Sequence, residues 1–225
     1  MRIVPGIWKV DNIRGANSYL VVSKDTVLVV DTGMPGSARK IIDFLAGLGR
    51  KPNEVECIVL THADIDHSGS TAELREMTGA RVAIHIGDAP ALSGERRLKE
   101  VKGALSPVFT LMSKIMKFRP VKPDLLLKEG DEIGGFRVVH TPGHTVGHIC
   151  LYQPGDLLFA GDALRSDKKG NPIEMSKQMT LDIEGAWKSV RRIAGLEFDI
   201  FLPGHGAPVI HDASKKVREL LGNVS

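Results

Sequence analysis

Cysteine is scarce in this chain: of 225 residues only Cys57 and Cys150 carry a thiol, and both fall inside apolar, strand-like runs. Two buried, reduced thiols argue against a disulfide scaffold and fit a cytoplasmic protein. Long apolar runs are missing too. No stretch approaches the length of a membrane span, and Met1 to Trp8 lacks the apolar core and cleavage-like segment of an export signal, so neither membrane nor secretion is expected. Charge of one sign is not in excess. The net charge of +3 and pI near 8.8 are too mild to imply nucleic acid, and Arg96-Arg97-Leu98-Lys99 and Lys168-Lys169 read as solvated faces. A Walker loop, a dinucleotide fingerprint and a Ser-His-Asp arrangement are absent as well. What is there is an ordinary composition, 42% hydrophobic and 25% charged, and enough length for one substantial core. A single α/β domain over residues 1–225 is expected, with a small molecule as its substrate.

The chemistry concentrates in Thr61-His62-Ala63-Asp64-Ile65-Asp66-His67-Ser68-Gly69, where four potential metal ligands fall within six residues. The run Glu56 to Leu60 before it reads as a buried strand, and Ser68 through Met77 as a helix stopped by Gly79. His62, Asp64, Asp66 and His67 therefore sit on the loop leaving the carboxyl end of a strand, where α/β proteins tend to place their sites. Singly, Asp66 fits a helix N-cap, His67 a first helical turn and His62 a satisfied histidine at a strand end. Together they would destabilise the fold unless hydrogen-bonded or neutralised, and a divalent cation neutralises them.

Three further strand ends repeat the arrangement. Phe136 to Val139 runs into His140-Thr141-Pro142-Gly143-His144-Thr145, Leu157 to Ala160 into Gly161-Asp162, and Asp199 to Leu202 into Pro203-Gly204-His205-Gly206. Glycine lets the backbone turn sharply there, so a polar side chain is aimed from the strand tip. With these pieces in order along nearly the whole chain, the sequence resembles the metallo-β-lactamase-fold hydrolase superfamily. Its pattern is His-x-His-x-Asp-His, then a Gly-His turn, an Asp after Gly and a final Gly-His. The resemblance implies a four-layer αββα sandwich and two divalent metal ions. It makes His62 and His144 ligands of the first ion, Asp66, His67 and His205 ligands of the second, and Asp162 the bridge. It also places Asp31, at another strand tip, beside the centre, where it would orient a ligand; a loop Asp capping the next turn is the competing reading.

One position departs from the pattern: Asp64 stands where the second histidine is expected. Two divalent ions bring four positive charges, which Asp64, Asp66, Asp162 and a bridging hydroxide would balance; histidine at 64 would leave one positive charge over. A carboxylate makes the first site harder, so iron or manganese becomes plausible beside zinc, the metal most expected. A similar exchange, with Glu, marks the flavo-diiron branch of the superfamily. The alternative is that Asp64 stays unligated and the first site is weak or empty.

The mechanism implied is hydrolysis: a metal-bound hydroxide attacks a carbonyl carbon or a phosphorus, and a metal ion stabilises the developing charge. Asp66 is the catalytic candidate, orienting the nucleophile or returning a proton to the leaving group. An ester, lactone or thioester is the expected substrate, and lactonase or esterase activity fits best. A glutathione thioesterase should carry a basic helical region after the last ligand, where only Lys215, Lys216 and Arg218 remain, and a periplasmic β-lactamase would need an export signal. A β-lactamase side activity and phosphoester hydrolysis stay open. So do two other classes: an iron-dependent redox enzyme of the same fold, diiron oxygen-reducing or persulfide-dioxygenase-like, and a non-catalytic binding protein.

Elsewhere the reading is structural. Ile3 to Val10, Ser18 to Val22, Thr26 to Val30, Arg81 to His85, Asp124 to Leu127 and His148 to Tyr152 read as strands. Ser37 to Leu48, Leu181 to Ala194 and Ala213 to Leu221 read as helices. A helical insertion over about 88–128, including Ala91 to Lys102 and the Met-containing Val108 to Phe118, is either a lid over an apolar substrate or a helix packed on the core or in a homodimer contact. His85 and His148 are read outside the ligand set, the first as a surface or satisfied core histidine, the second as a supporting or core residue.

Overall fold

The computed structural model describes residues 1–96 and 118–222. The chain separates into two compact units, Met1–Leu126 and Leu127–Ser225, each built on its own mixed sheet. In the first sheet β1 (Arg2–Val4), β2 (Ile7–Lys9), β3 (Tyr19–Val22) and β4 (Val27–Val30) form an antiparallel meander, β5 (Val55–Val59) and β6 (Arg81–His85) add parallel to β4, and β7 (Leu125–Leu127) edges the sheet next to β6. The strand expected over Ile3 to Val10 is thus two. Pro5 has no N–H to give a ladder and Gly6, at φ 81°, turns the chain between them.

Parallel pairing requires crossovers. Helix Ala38–Gly47 carries the chain from β4 to β5 and buries Ala38, Ile41, Ile42 and Leu45, the apolar stripe that its spacing predicts. Full burial of a side chain such as Ile41 or Leu45 is worth about 1.5–3 kcal/mol, so this face holds the helix on the sheet. The second crossover corrects the helix expected over Ser68 to Met77. It is two helices, Ile65–Ser68 and Thr71–Thr78, with a break at Gly69-Ser70. A Cβ at Gly69 would lie 2.4 Å from Pro35 Cδ and from Ile65 O, so the chain passes Pro35 only with glycine there. Gly79, left-handed at φ 75°, stops the second helix as expected.

The second unit is built on a six-stranded sheet. Here β8 (Glu132–Ile133), β9 (Phe136–His140), β10 (Ile149–Gln153) and β11 (Leu157–Gly161) run antiparallel, whereas β11 and β14 (Ile200–Pro203) are parallel. Helix Ile183–Ala194 lies between them in the chain and buries Ala186, Val190 and Ile193 in a core with Leu158, Phe201 and Val217, the last from helix Ala213–Gly222. β15 (Val209–Ile210) edges the sheet, and a small hairpin of β12 (Arg165–Ser166) and β13 (Pro172–Ile173) follows β11.

Most of the expected insertion, including Val108 to Lys117, lies outside the described residues; Ala89–Leu92 is a short helix at its start. Cys57 and Cys150 are free and buried, in agreement with the sequence reading. Among the described residues no helix is long and apolar enough to cross a membrane.

Candidate metal centre

Register sets up the first group of donors. Val30 of β4 pairs with Val59 of the parallel β5, which brings the two strand tips side by side. Asp31 follows β4 in the left-handed region at φ 58°, a conformation that costs a non-glycine residue energy and must be held by its surroundings. It is held. Its N–H donates to Val59 O at 3.0 Å, and its carbonyl accepts from the Ser18 hydroxyl at 2.7 Å. Its carboxylate is then committed to the other tip: Oδ1 accepts from Thr61 N–H at 2.8 Å, and Oδ2 from the Thr61 hydroxyl and from His67 Nδ1, both at 2.8 Å.

These bonds decide two tautomers. An ionised carboxylate only accepts, so His67 carries its proton on Nδ1 and its lone pair on Nε2. Thr61 has one hydroxyl proton and gives it to Asp31, so at 3.0 Å from His62 Nδ1 it accepts, and His62 likewise carries its lone pair on Nε2. Both rings are fully buried with centroids 4.0 Å apart, and one donor atom of each lies within 4.8 Å of the other. A single carboxylate thus directs the Nδ1 proton of two imidazoles, which leaves Nε2 to carry the lone pair of the neutral ring.

Asp64 is buried beside them. It occupies the N-cap position of helix Ile65–Ser68 yet makes no side-chain capping bond, and its Oδ2 lies 3.6 Å from His62 Nε2. The cap position falls at Asp64 and not at Asp66. Asp66 and His67 are in the helix itself, with donor atoms within 4.8 Å of each other, and Asp66 O accepts from Ala16 N–H at 3.1 Å. The loop between His62 and Asp64 is anchored by Asp88, whose buried carboxylate accepts from Ala63 N–H at 3.0 Å.

The second unit gathers a matching group. Gly161 of β11 pairs with Pro203 of the parallel β14, and Gly204 N–H donates to Gly161 O at 2.7 Å, so Asp162 and His205 leave adjacent tips. Asp162 Oδ2 stands 3.5 Å from His205 Nε2 and 3.5 Å from His144 Nε2. His144 lies in the loop from β9 to β10, which is pinned at both ends. Glu129 accepts from His140 N–H at 2.7 Å and pairs with both terminal nitrogens of Arg192, and His140 Nε2 reaches Val146 O at 3.0 Å across the loop. Burial opposes ionisation of Glu129, but Arg192 and the His140 N–H outweigh it and hold the carboxyl below its usual range.

Close approach fixes the loop's centre. Asp182 N–H donates to Gly143 O at 2.9 Å and Leu181 N–H to His144 O at 3.3 Å, so the start of helix Ile183–Ala194 rests on the loop that carries His144. A Cβ at Gly143, whose φ is 132°, would lie 2.2 Å from Ala186 N. Gly143→Ala is therefore expected to destabilise the chain by about 1–3 kcal/mol, because neither backbone can yield without strain. Urea unfolding measures it; an unchanged midpoint would show that the loop and helix separate freely.

Of the residues expected from sequence, each unit brings its own together: His62, Asp64, Asp66 and His67 with Asp31 in the first, His144, Asp162 and His205 in the second. The Asp31 carboxylate hydrogen-bonds Thr61 and His67, the contact that the role expected of it requires. His85 is a buried strand-end residue whose Nδ1 accepts from Gly87 N–H at 3.1 Å. Thr61, Asp88 and the Glu129–Arg192 pair carry structural work that sequence reading missed. Thr61 carried one signal, standing directly before the histidine motif.

The Metallo-beta-lactamase superfamily profile matches residues 11–205, and the chain belongs to that superfamily. Probable metallo-hydrolase YflN of Bacillus subtilis is 29% identical over 218 residues, 86% of this chain and 81% of its own length. The acyl-coenzyme A thioesterase MBLAC2 of Gallus gallus is 34% identical over 166 residues, 66% of this chain and 57% of that protein. A Cronobacter sakazakii metallo-β-lactamase with a HARLDQ motif superposes with a TM-score of 0.74 at 22% identity, covering 100% of this chain and 92% of that one. The α/β fold with two sheets is the metallo-β-lactamase fold expected from the sequence. Relatives of the chain include hydrolases, and the superfamily typically binds divalent metals.

Proposed function

We propose that the protein is a metal-dependent hydrolase of activated acyl groups, an ester, lactone or thioester. In this reading His62, Asp64 and His144 would hold one divalent cation, Asp66, His67 and His205 would hold a second, and Asp162 would serve both. The observation that carries it is a spacing. His62 Nε2 to Asp64 Oδ2 is 3.6 Å, and Asp162 Oδ2 to His144 and His205 Nε2 is 3.5 Å each. A charge-assisted hydrogen bond would close to about 2.7–2.9 Å. Two donors each about 2.0–2.1 Å from a tetrahedral ion stand about 3.3–3.4 Å apart, so these separations fit the edges of a coordination shell. The donor chemistry fits as well: imidazoles with fixed tautomers and carboxylates suit zinc, with iron and manganese next.

Divalent cations, when bound there, supply Lewis acidity and make water acidic enough to yield a nucleophile near neutral pH. The chain's own groups do the rest. Asp66, half-buried on helix Ile65–Ser68, is the side chain assigned to hold and return a proton for the leaving group. Asp31 and Thr61 keep His62 and His67 in the donor tautomer. An apolar acyl substrate is supported by the exposed Val146 and Leu181, which flank His144 in sequence and through the Leu181 N–H to His144 O bond, and by the kinship with a thioesterase.

A panel of aryl esters, lactones and acyl thioesters, assayed with defined metals, tests this. Hydrolysis that EDTA abolishes and zinc restores is the expected result. Tightly held iron with oxygen consumption and no hydrolysis would replace it with the redox reading that Asp64 motivates. Asp64 makes a second test available. Asp64→His is expected to raise preference for zinc over iron or manganese by about tenfold, because imidazole replaces a hard anionic oxygen. Competitive metal loading measures it, and unchanged selectivity would remove Asp64 from the ligands.

A further inference from the structure

The second unit holds one more buried imidazole outside the proposed ligand set. His148 is fully buried immediately before β10, the strand between β9 and β11. Asp162 N–H donates to its Nε2 at 3.0 Å. A backbone amide nitrogen only donates, so Nε2 carries the lone pair and the neutral ring bears its proton on Nδ1. That proton meets Thr141 Oγ1 at 2.8 Å. The Thr141 hydroxyl then has its own proton for Cys150 Sγ or His148 O, each at 3.4 Å. The Cys150 thiol, which burial pushes up to about 12 and so keeps protonated, lies 3.6 Å from Ala160 O as a donor. The donors run one way around a circuit that starts at Asp162, just past β11, and returns to the strand at Ala160. Gly161, at φ 48°, is the residue enclosed.

We infer that His148 is the positioning residue of Asp162: its Nε2 lone pair fixes the Asp162 backbone and thereby aims the carboxylate at His144 and His205. The His144-x3-His148 spacing, which on a helix would suggest two ligands, here gives one ligand and one holder. The His148 Nε2 is committed to an amide proton, and its ring centroid is 6.0 Å from that of His144. Its consequence for metal binding rests on the hydrolase reading above; the hydrogen bond and tautomer do not.

The first test needs no variant. In the full-length protein labelled with nitrogen-15, a through-hydrogen-bond scalar coupling between the Asp162 amide nitrogen and His148 Nε2 is expected, with Nε2 at an unprotonated shift. No coupling, or a protonated Nε2, overturns the inference. The second compares His148→Leu, which removes the acceptor, with His148→Gln, whose Oε1 replaces it. Zinc affinity from chelator competition should fall about 10–100-fold in the leucine variant and recover to within about threefold of the parent in the glutamine one. The visible spectrum of the cobalt-substituted protein should change and recover in parallel. A folded leucine variant with the parent's zinc affinity and cobalt spectrum would refute the assignment. Should that variant not fold, the glutamine variant and the coupling decide. A parent that binds none of zinc, iron and manganese would sink the hydrolase reading, while the coupling would still decide the role of His148.

Discussion

Asp162→Asn is expected to lower turnover of an activated acyl substrate by about 10³-fold, the equivalent of about 4 kcal/mol of lost charge stabilisation. The substitution keeps the size of the side chain and leaves the Asp162 N–H to His148 bond in place, so the β11 tip should keep its shape. What it removes is the anionic oxygen 3.5 Å from two imidazoles. Steady-state kinetics and a pair of melting curves, with and without zinc, measure the effect. The parent should gain stability from zinc, about 2.7 kcal/mol at a hundredfold excess over Kd, and the variant should lose most of that gain. A variant with the parent's turnover would mean that Asp162 does not serve the reaction.

The largest stability effect is expected at Asp31. Asp31→Ala strands three buried donors, Thr61 N–H, the Thr61 hydroxyl and His67 Nδ1–H, each worth about 1–3 kcal/mol when left unsatisfied. It also keeps a Cβ-bearing residue at φ 58°, held there by its two backbone bonds without the carboxylate's three. A loss of roughly 3–5 kcal/mol follows, together with a 10–100-fold weaker hold on metal once the two imidazole tautomers are no longer set. Asp31→Asn should be milder in stability, because asparagine tolerates the left-handed region and its Oδ1 still accepts from Thr61 N–H, but the NH2 group that replaces Oδ2 cannot accept from His67. Urea unfolding in the absence of metal separates the two variants. A loss under about 1 kcal/mol for the alanine variant would show that Asp31 does not anchor the two strand tips.

How much of this was legible in the sequence follows from the range of the interactions. Strand tips were readable because each apolar, β-branched run ends in glycine, histidine or aspartate, and backbone punctuation of that kind is local. Asp31 was readable as a tip, but its duty depends on the Val30 to Val59 register, which no periodicity specifies. Asp88 is further still: it acts on Ala63 from beyond the next strand. The break at Gly69 was missed because it answers to Pro35, far back in the chain, whereas local propensity favours an unbroken helix. The hairpin of β12 and β13, two residues a strand, is too short to leave a period. His148 was set apart from the ligands by the Pro-Gly before it and the apolar run after it, which marked a strand start; that its lone pair serves the Asp162 amide needed coordinates.

The central claim is that these histidines and aspartates ligate divalent cations, and anomalous diffraction from crystals of the zinc-reconstituted protein tests it most directly. The account predicts two anomalous peaks per chain, each about 2.0–2.2 Å from its ligands, with His62, Asp64 and His144 around one, Asp66, His67 and His205 around the other, and Asp162 touching both. Crystals grown from zinc-saturated protein that show no peak at these residues, with an enzyme indifferent to chelators, would contradict it.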